Sequence, residues 1–242
     1  MSLESAKQRT GQGEEEARRI PCPRLIELVG VAGTGKSTLL KALSRRNPRI
    51  QELELPSKLL YLPSMLRVVF RWLPLYLFKY RHGRWFTWEE TRKIGYLDTW
   101  LDYSRSESEA RDISAVLDPG SICWLVALRD FGPELTKDGQ FQRWWEERLD
   151  QWAQALDVII WMEAPIELSL NRVMGRDEEH EAKSMAAAAA LKEFSRYRLS
   201  YVELIPEIAR RGHARIFRYR SDQVSTEQMT NEIFAAVDFE AG

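Results

Sequence analysis

The chain has 242 residues, 44% of them hydrophobic, and a formal net charge of −1 from 35 basic and 36 acidic side chains. That length and composition support one sizeable core, and the balanced charge excludes the global positive field of a general nucleic-acid binder, so a small-molecule partner is expected. Cys22 and Cys123 form no CxxC pair, which leaves no disulfide framework or zinc site and fits a reducing cytosol, hence a cytoplasmic location.

Residues 1–23 are charged and polar, with Glu14-Glu15-Glu16 and Arg18-Arg19, and lack the apolar stretch of a secretion signal. They read as a flexible tail ahead of one domain over residues 24–242. The apolar run Leu25-Ile26-Glu27-Leu28-Val29 reads as a strand. Gly30-Val31-Ala32-Gly33-Thr34-Gly35-Lys36-Ser37-Thr38 follows at once and spells G-x-x-x-x-G-K-S, the Walker A phosphate loop. Small residues let backbone N–H groups turn inward on phosphate oxygens, and a helix starting near Lys36 adds the positive end of its dipole. Lys36 supplies a mobile charge, and the Ser37 hydroxyl is suited to a magnesium ion bridging the outer phosphates.

Asn47-Pro48 should end that first helix, and Ile50 to Leu55 alternates as a second strand. Leu59 to Tyr80 is rich in Leu, Val, Phe, Trp and Tyr but holds Arg67, Arg71, Pro63 and Pro74, which argues against a transmembrane helix. One or two helices, cut near the prolines, are expected there. They either pack on the sheet or lie along an apolar ligand or a membrane. Thr87-Trp88-Glu89-Glu90 has the form of a capping box, and Ile94, Leu97 and Leu101 follow at helical spacing, which predicts a helix from Trp88 to about Ser104. Trp85, Trp88, Tyr96 and Trp100 around it suit either a ring-binding surface or the core.

Ile113 to Asp118 is a strand ending in a carboxylate before the turn Pro119-Gly120. A parallel sheet gathers its chemistry at the carboxyl ends of its strands, so Asp118 should meet the phosphate loop and serve there as a magnesium-shell residue or as a base. Helices follow around Cys123 to Arg129 and Gly139 to Ala155, and Asp157 to Met162 reads as a central buried strand. After the helix Ile166 to Met174, the Arg172-x-x-x-Arg176 pair with His180 and Lys183 reads as a lid that closes on a triphosphate. A long helix through Ala186 to about Arg211, a last strand Ala214 to Tyr219 and a closing helix capped at Ser225 complete the chain.

The loop, the mid-chain acid, the late Arg-x-x-x-Arg and the final strand and helix together resemble the nucleoside and nucleotide kinases, in the thymidylate-kinase-like branch of the P-loop kinases. Val116-Leu117-Asp118-Pro119-Gly120 and Trp161-Met162-Glu163-Ala164-Pro165 through His180 also resemble poorly characterised bacterial members of that group. The resemblance implies a three-layer α/β/α fold with a parallel five-stranded sheet ordered 2-3-1-4-5 and a helical lid. It further implies ATP and Mg2+, a small-molecule acceptor of nucleoside or nucleotide type, and dimers. Gly30, Gly33, Gly35, Lys36, Ser37 and Thr38 match its phosphate loop, and Arg172 and Arg176 its lid. Asp118 matches the acid of its Asp-Arg or Glu-Arg-Ser signature, with Pro119 standing where that signature has arginine; Arg92 and Arg129 are candidate substitutes. The missing arginine also leaves a second reading, a nucleotide-binding regulatory or scaffolding protein without turnover.

Overall fold

Short runs of apolar and β-branched residues form the centre of the molecule: β1 (Leu25–Val29), β2 (Ile50–Glu52), β3 (Ser114–Leu117), β4 (Val158–Glu163) and β5 (Arg215–Arg220). They form one parallel sheet in the order β2-β3-β1-β4-β5. The computed structural model describes residues 22–55, 58–175 and 181–239. β1, β3 and β4 are buried along their whole lengths because helices cover both faces of the sheet.

Side-chain alternation divides the core in two. Leu25, Val29, Leu117, Ile159 and Trp161 face one layer, made of α2 (Lys58–Leu75), α3 (Trp88–Arg111), α4 (Ser121–Phe131), α5 (Gly139–Ala155) and α7 (Ala187–Arg211). Ile26, Leu28, Val116, Ile160 and Met162 face the other, made of α1 (Lys36–Arg46) and α8 (Thr226–Ala236). Between β4 and α7 lies α6 (Ile166–Met174), which packs on α7. The three layers, the parallel sheet and its order are those the resemblance implied.

Several boundaries differ from the sequence reading. β2 stops at Glu52 rather than Leu55. Pro63 and Pro74 do not cut the segment near them: α2 runs through both and passes into a π-helical turn at Tyr76–Tyr80. A proline deletes one rung of backbone hydrogen bonding, and here Met65, Val68 and Trp72 bury one face of the helix between the two prolines. The capping box forms as expected, with Thr87 accepting from the Glu90 N–H and Glu90 from the Thr87 N–H. Yet α3 continues beyond Ser104 to Arg111. Its polar second half hid this, because Ser104 and Ser108 are buried with their hydroxyls donating to the Trp100 and Ile113 carbonyls. The tail expected over residues 1–23 lies outside the described residues except for Cys22 and Pro23. Cys22 is not loose: its sulfur sits 3.9 Å from the Ser114 hydroxyl.

Of the aromatics near the start of α3, Tyr96 and Trp100 belong to the core. Tyr96 stacks on Trp124 at 5.1 Å, and Trp100 meets Trp124 at 4.5 Å and Trp152 at 6.1 Å. Trp88 is exposed. Trp100→Ala should therefore cost about 3–5 kcal/mol in urea unfolding with little change in m-value; a loss under ~1 kcal/mol would show that this ring is not a core element.

Candidate functional site

β1 ends at Val29, and the chain turns through Gly30, Gly33 and Gly35, all at positive φ, before α1 begins at Lys36. A Cβ on Gly30 would lie 2.2 Å from the Met162 carbonyl oxygen, and one on Gly33, at φ 83°, 2.2 Å from the Ser169 carbonyl oxygen on α6. Thr34 is buried and its hydroxyl donates to the Val31 carbonyl at 2.8 Å, closing the loop on itself. Val31 and Ala32 turn their side chains into a small apolar cluster with Leu170, Val173 and Phe194 of α6 and α7. Ser37 and Thr38 are exposed in the first turn of α1. The loop is thus braced from outside by apolar contact.

The Lys36 ammonium donates to the Gly30 carbonyl at 2.9 Å and the Val31 carbonyl at 3.3 Å, and stands 4.0 Å from Asp118 Oδ1. Asp118 follows β3 directly and β3 pairs with β1, so two neighbouring strands deliver the acid and the loop to one edge. Burial raises the Asp118 pKa above the usual range, and the positive charge of Lys36 offsets part of the rise. Glu52, at the end of β2, joins the same edge. Its carboxyl is raised by burial and by the charges of Asp118 and Glu54, and with Ser37 it lines one cleft.

Arg172 reaches the loop from α6, donating to the Gly33 carbonyl at 3.1 Å and the Ser221 hydroxyl at 3.3 Å. Ser221 follows β5, so β1, β3, β4 and β5 all send chain to this edge. α6 ends at Met174, and Arg176 and His180 lie outside the described residues. Neither suggested substitute for an arginine after Asp118 turns toward that acid. Arg92 pairs with Glu89 at 2.5 Å, and Arg129 pairs with Asp130 at 3.0 Å and Glu203 at 3.2 Å. At the end of β4, Glu163 accepts from Arg218 at 2.6 Å with Arg198 at 3.8 Å, a charged group one strand removed from the loop.

Hard oxygen donors suited to magnesium are present in the Ser37 hydroxyl and the Asp118 carboxylate. Among the described residues no cluster of three or more His, Cys, Asp or Glu forms a closed metal cage. Such an edge suits an ion that arrives with its phosphates and needs one or two protein oxygens.

Sequence reading missed Glu27, the lone acid in an apolar strand. Its side chain is fully buried beneath the turn after Asp118. Oε1 accepts from the Ile122 N–H at 2.7 Å, and Oε2 lies 2.7 Å from the Ser121 hydroxyl, so Glu27 caps the start of α4 from the strand beside β3. A Cβ on Gly120 would fall 2.3 Å from Glu27 Cδ, which explains the glycine there. Burial pushes the Glu27 pKa up to about 8 against the lowering effect of these donors. Glu52 had a readable signal, an acid at a strand end like Asp118; Ser221 had none.

This architecture is the P-loop kinase fold. No family model matches the chain, and no curated protein matches it. Among solved structures, the deoxyadenosine kinase of M. mycoides with dCMP and a flexible dCDP bound is similar at a TM-score of 0.53 and 13% identity, over 87% of this chain and 96% of that one. That likeness shows the fold. The same enzyme with bound dATP gives a TM-score of 0.49 at 13% identity, over 86% of this chain and 97% of that chain. The YorR protein of Bacillus subtilis, in complex with phosphorylated GDP, gives 0.46 at 14% identity, over 87% and 93%.

A carboxyl whose pKa is about 8 in the fold and 4.5 ordinarily keeps a proton that the unfolded chain gives up. Its stabilising effect is complete below pH 4.5 and is lost as pH rises toward 8. Glu27→Gln, which can offer an oxygen to Ile122 and an N–H to Ser121, should fold and should remove this loss. Relative to the variant, wild type should fall by up to about 1.4 kcal/mol per pH unit in that window, read by urea unfolding between pH 5 and 8.5. Parallel pH curves for the two proteins would contradict a protonated Glu27.

Proposed function

We propose that this chain is an ATP-dependent, magnesium-requiring phosphotransferase acting on a small molecule, with a nucleoside-type hydroxyl as acceptor. The observation that carries the reading is the Lys36 ammonium, held by the loop carbonyls and 4.0 Å from a partly buried carboxylate at one sheet edge. Phosphoryl transfer asks a protein chiefly for positioning and for neutralisation of charge on the transferred group. The loop N–H groups and the start of α1 supply fixed positive ends, and Lys36 a mobile charge that exchanges the carbonyls of Gly30 and Val31 for phosphate oxygen. Arg172 stands ready at the loop rim, and Arg176 is assigned the same work from the lid. Ser37 would bind the magnesium, which supplies further neutralisation of the phosphates, and Asp118 would either orient the ion's water shell or serve as the base.

Asp118 and Glu52 are the candidates to take the proton of an attacking hydroxyl. A carboxyl raised by burial is a stronger base when ionised, and Asp118 is raised. Pro119 occupies the place where related kinases carry an arginine after the acid, and Arg92 and Arg129 are engaged elsewhere. This favours a neutral hydroxyl acceptor over a monophosphate, and the deoxyadenosine kinase among the fold neighbours has a nucleoside substrate. The same proline supports a second reading, a regulatory protein that binds nucleotide without turnover.

Incubated with Mg·ATP and a panel of nucleosides and deoxynucleosides, the chain should release ADP with saturable dependence on one acceptor class. Lys36→Ala should reduce this at least about 10³-fold with the fold intact. Nucleotide binding without turnover on any acceptor would favour the regulatory reading, and unchanged turnover in Lys36→Ala would overturn the proposal. Asp118→Asn should lower kcat by about 10²–10⁴-fold. In wild type the acidic limb of kcat/KM should lie above the ordinary aspartate range, in the direction of the Asp118 shift; a limb at an unperturbed value would remove Asp118 from the role of base.

A further inference from the structure

The face of α2 turned away from the core is apolar where a surface helix is normally polar. Leu62, Leu66, Phe70, Leu73 and Leu77 recur at helical spacing and are all exposed, Phe70 at 76%, and Phe78 in the following turn is 90% exposed. The opposite face, with Met65, Val68 and Trp72, is fully committed to the core. A stripe of this extent is too large for the scattered apolar residues of an ordinary surface.

Its charge is one-sided. Between Leu55 and Trp88 the sequence holds Lys58, Arg67, Arg71, Lys79, Arg81 and Arg84 and no Asp or Glu, in a chain whose net charge is −1. Among the described side chains, Asp138 pairs with Lys79 at 2.7 Å and Glu90 with Arg84 at 2.6 Å. Glu134 borders the patch near Gly83. Arg67 and Arg71 are exposed one turn apart beside Phe70, with the Arg71 guanidinium over the Trp72 ring at 5.1 Å. Exposed apolar side chains flanked by cations, with aromatic rings at the margin, are the pattern of a helix lying in the plane of a lipid interface. Among the described residues no helix is long and apolar enough to cross a membrane. A second copy of the chain fits less well, since a two-fold contact would set this patch against itself, with Arg67 and Arg71 near their own copies and no acid in the segment to separate them.

We infer that α2 and the turn Tyr76–Tyr80 form a docking face for an anionic lipid surface, with Leu66, Phe70 and Phe78 entering the headgroup boundary and Arg67 and Arg71 meeting lipid phosphates. The test is flotation of the full chain with vesicles of equal parts phosphatidylcholine and phosphatidylglycerol, against vesicles of phosphatidylcholine alone. Wild type should float with the anionic vesicles and bind the neutral ones at least about tenfold more weakly. Phe70→Ser with Phe78→Ser, and separately Arg67→Glu with Arg71→Glu, should each reduce anionic binding about tenfold or more at unchanged Tm, since all four side chains are exposed. A protein that stays in the soluble fraction with both vesicles, or variants that bind as wild type does, would overturn the inference. A dimer in sedimentation velocity that the Phe70→Ser, Phe78→Ser variant dissociates, without vesicle binding, would reassign the face to self-association.

Discussion

The phosphate loop and α6 touch backbone to backbone. Gly33 lies so close to the Ser169 carbonyl that no side chain fits between them, and Arg172 then bonds the Gly33 carbonyl from one turn further along α6. Packing of Val31 and Ala32 on Leu170, Val173 and Phe194 seals the contact. The loop is therefore fixed by its neighbour before any ligand arrives. Pre-organisation of that kind is what makes fixed dipoles effective on a charged group.

The second constraint is solvation. At the carboxyl edge of β1, β2 and β3, Glu27, Glu52 and Asp118 are all drawn out of water to different degrees, and Lys36 is the cation that stands against Asp118. Burial raises all three, and the charges of Asp118 and Glu54 raise Glu52 further. Glu27 resolves its share by keeping its proton and using the acid as a cap for α4, which fixes the turn on which Asp118 sits. Asp118 is left as the group whose charge state responds to what Lys36 is doing. A phosphate that drew Lys36 away would change the field at that carboxyl.

Much of this was readable in the sequence. The glycine spacing and the lysine announced the loop, the largely apolar runs announced β1 and β4, and Asp118 before Pro119-Gly120 announced the second strand end of the site. What was hidden shares a physical cause: it depends on what lies across the fold. Ser104 and Ser108 look like the end of a helix until they are seen buried, with their hydroxyls bonded to the Trp100 and Ile113 carbonyls. Pro63 and Pro74 look like breaks until the buried face of α2 is seen to hold the helix through them. Glu27 looks like a solvated exception in its strand, because nothing local reveals that the start of α4 lies above it. Tyr96 and Trp100 suited either a ligand surface or the core, and packing of α3 against α4 and α5 decided for the core.

The account rests on the claim that Gly30 to Thr38 is a working phosphate site rather than a glycine-rich turn. Calorimetric titration of the full chain with Mg·ATP and, separately, with adenosine isolates the phosphates from the base. The account predicts that Mg·ATP binds at least about a hundredfold more tightly than adenosine, because most of the attraction comes from loop amides, helix dipole and Lys36 acting on phosphate. Equal affinity for the two, or no binding of Mg·ATP, would contradict it.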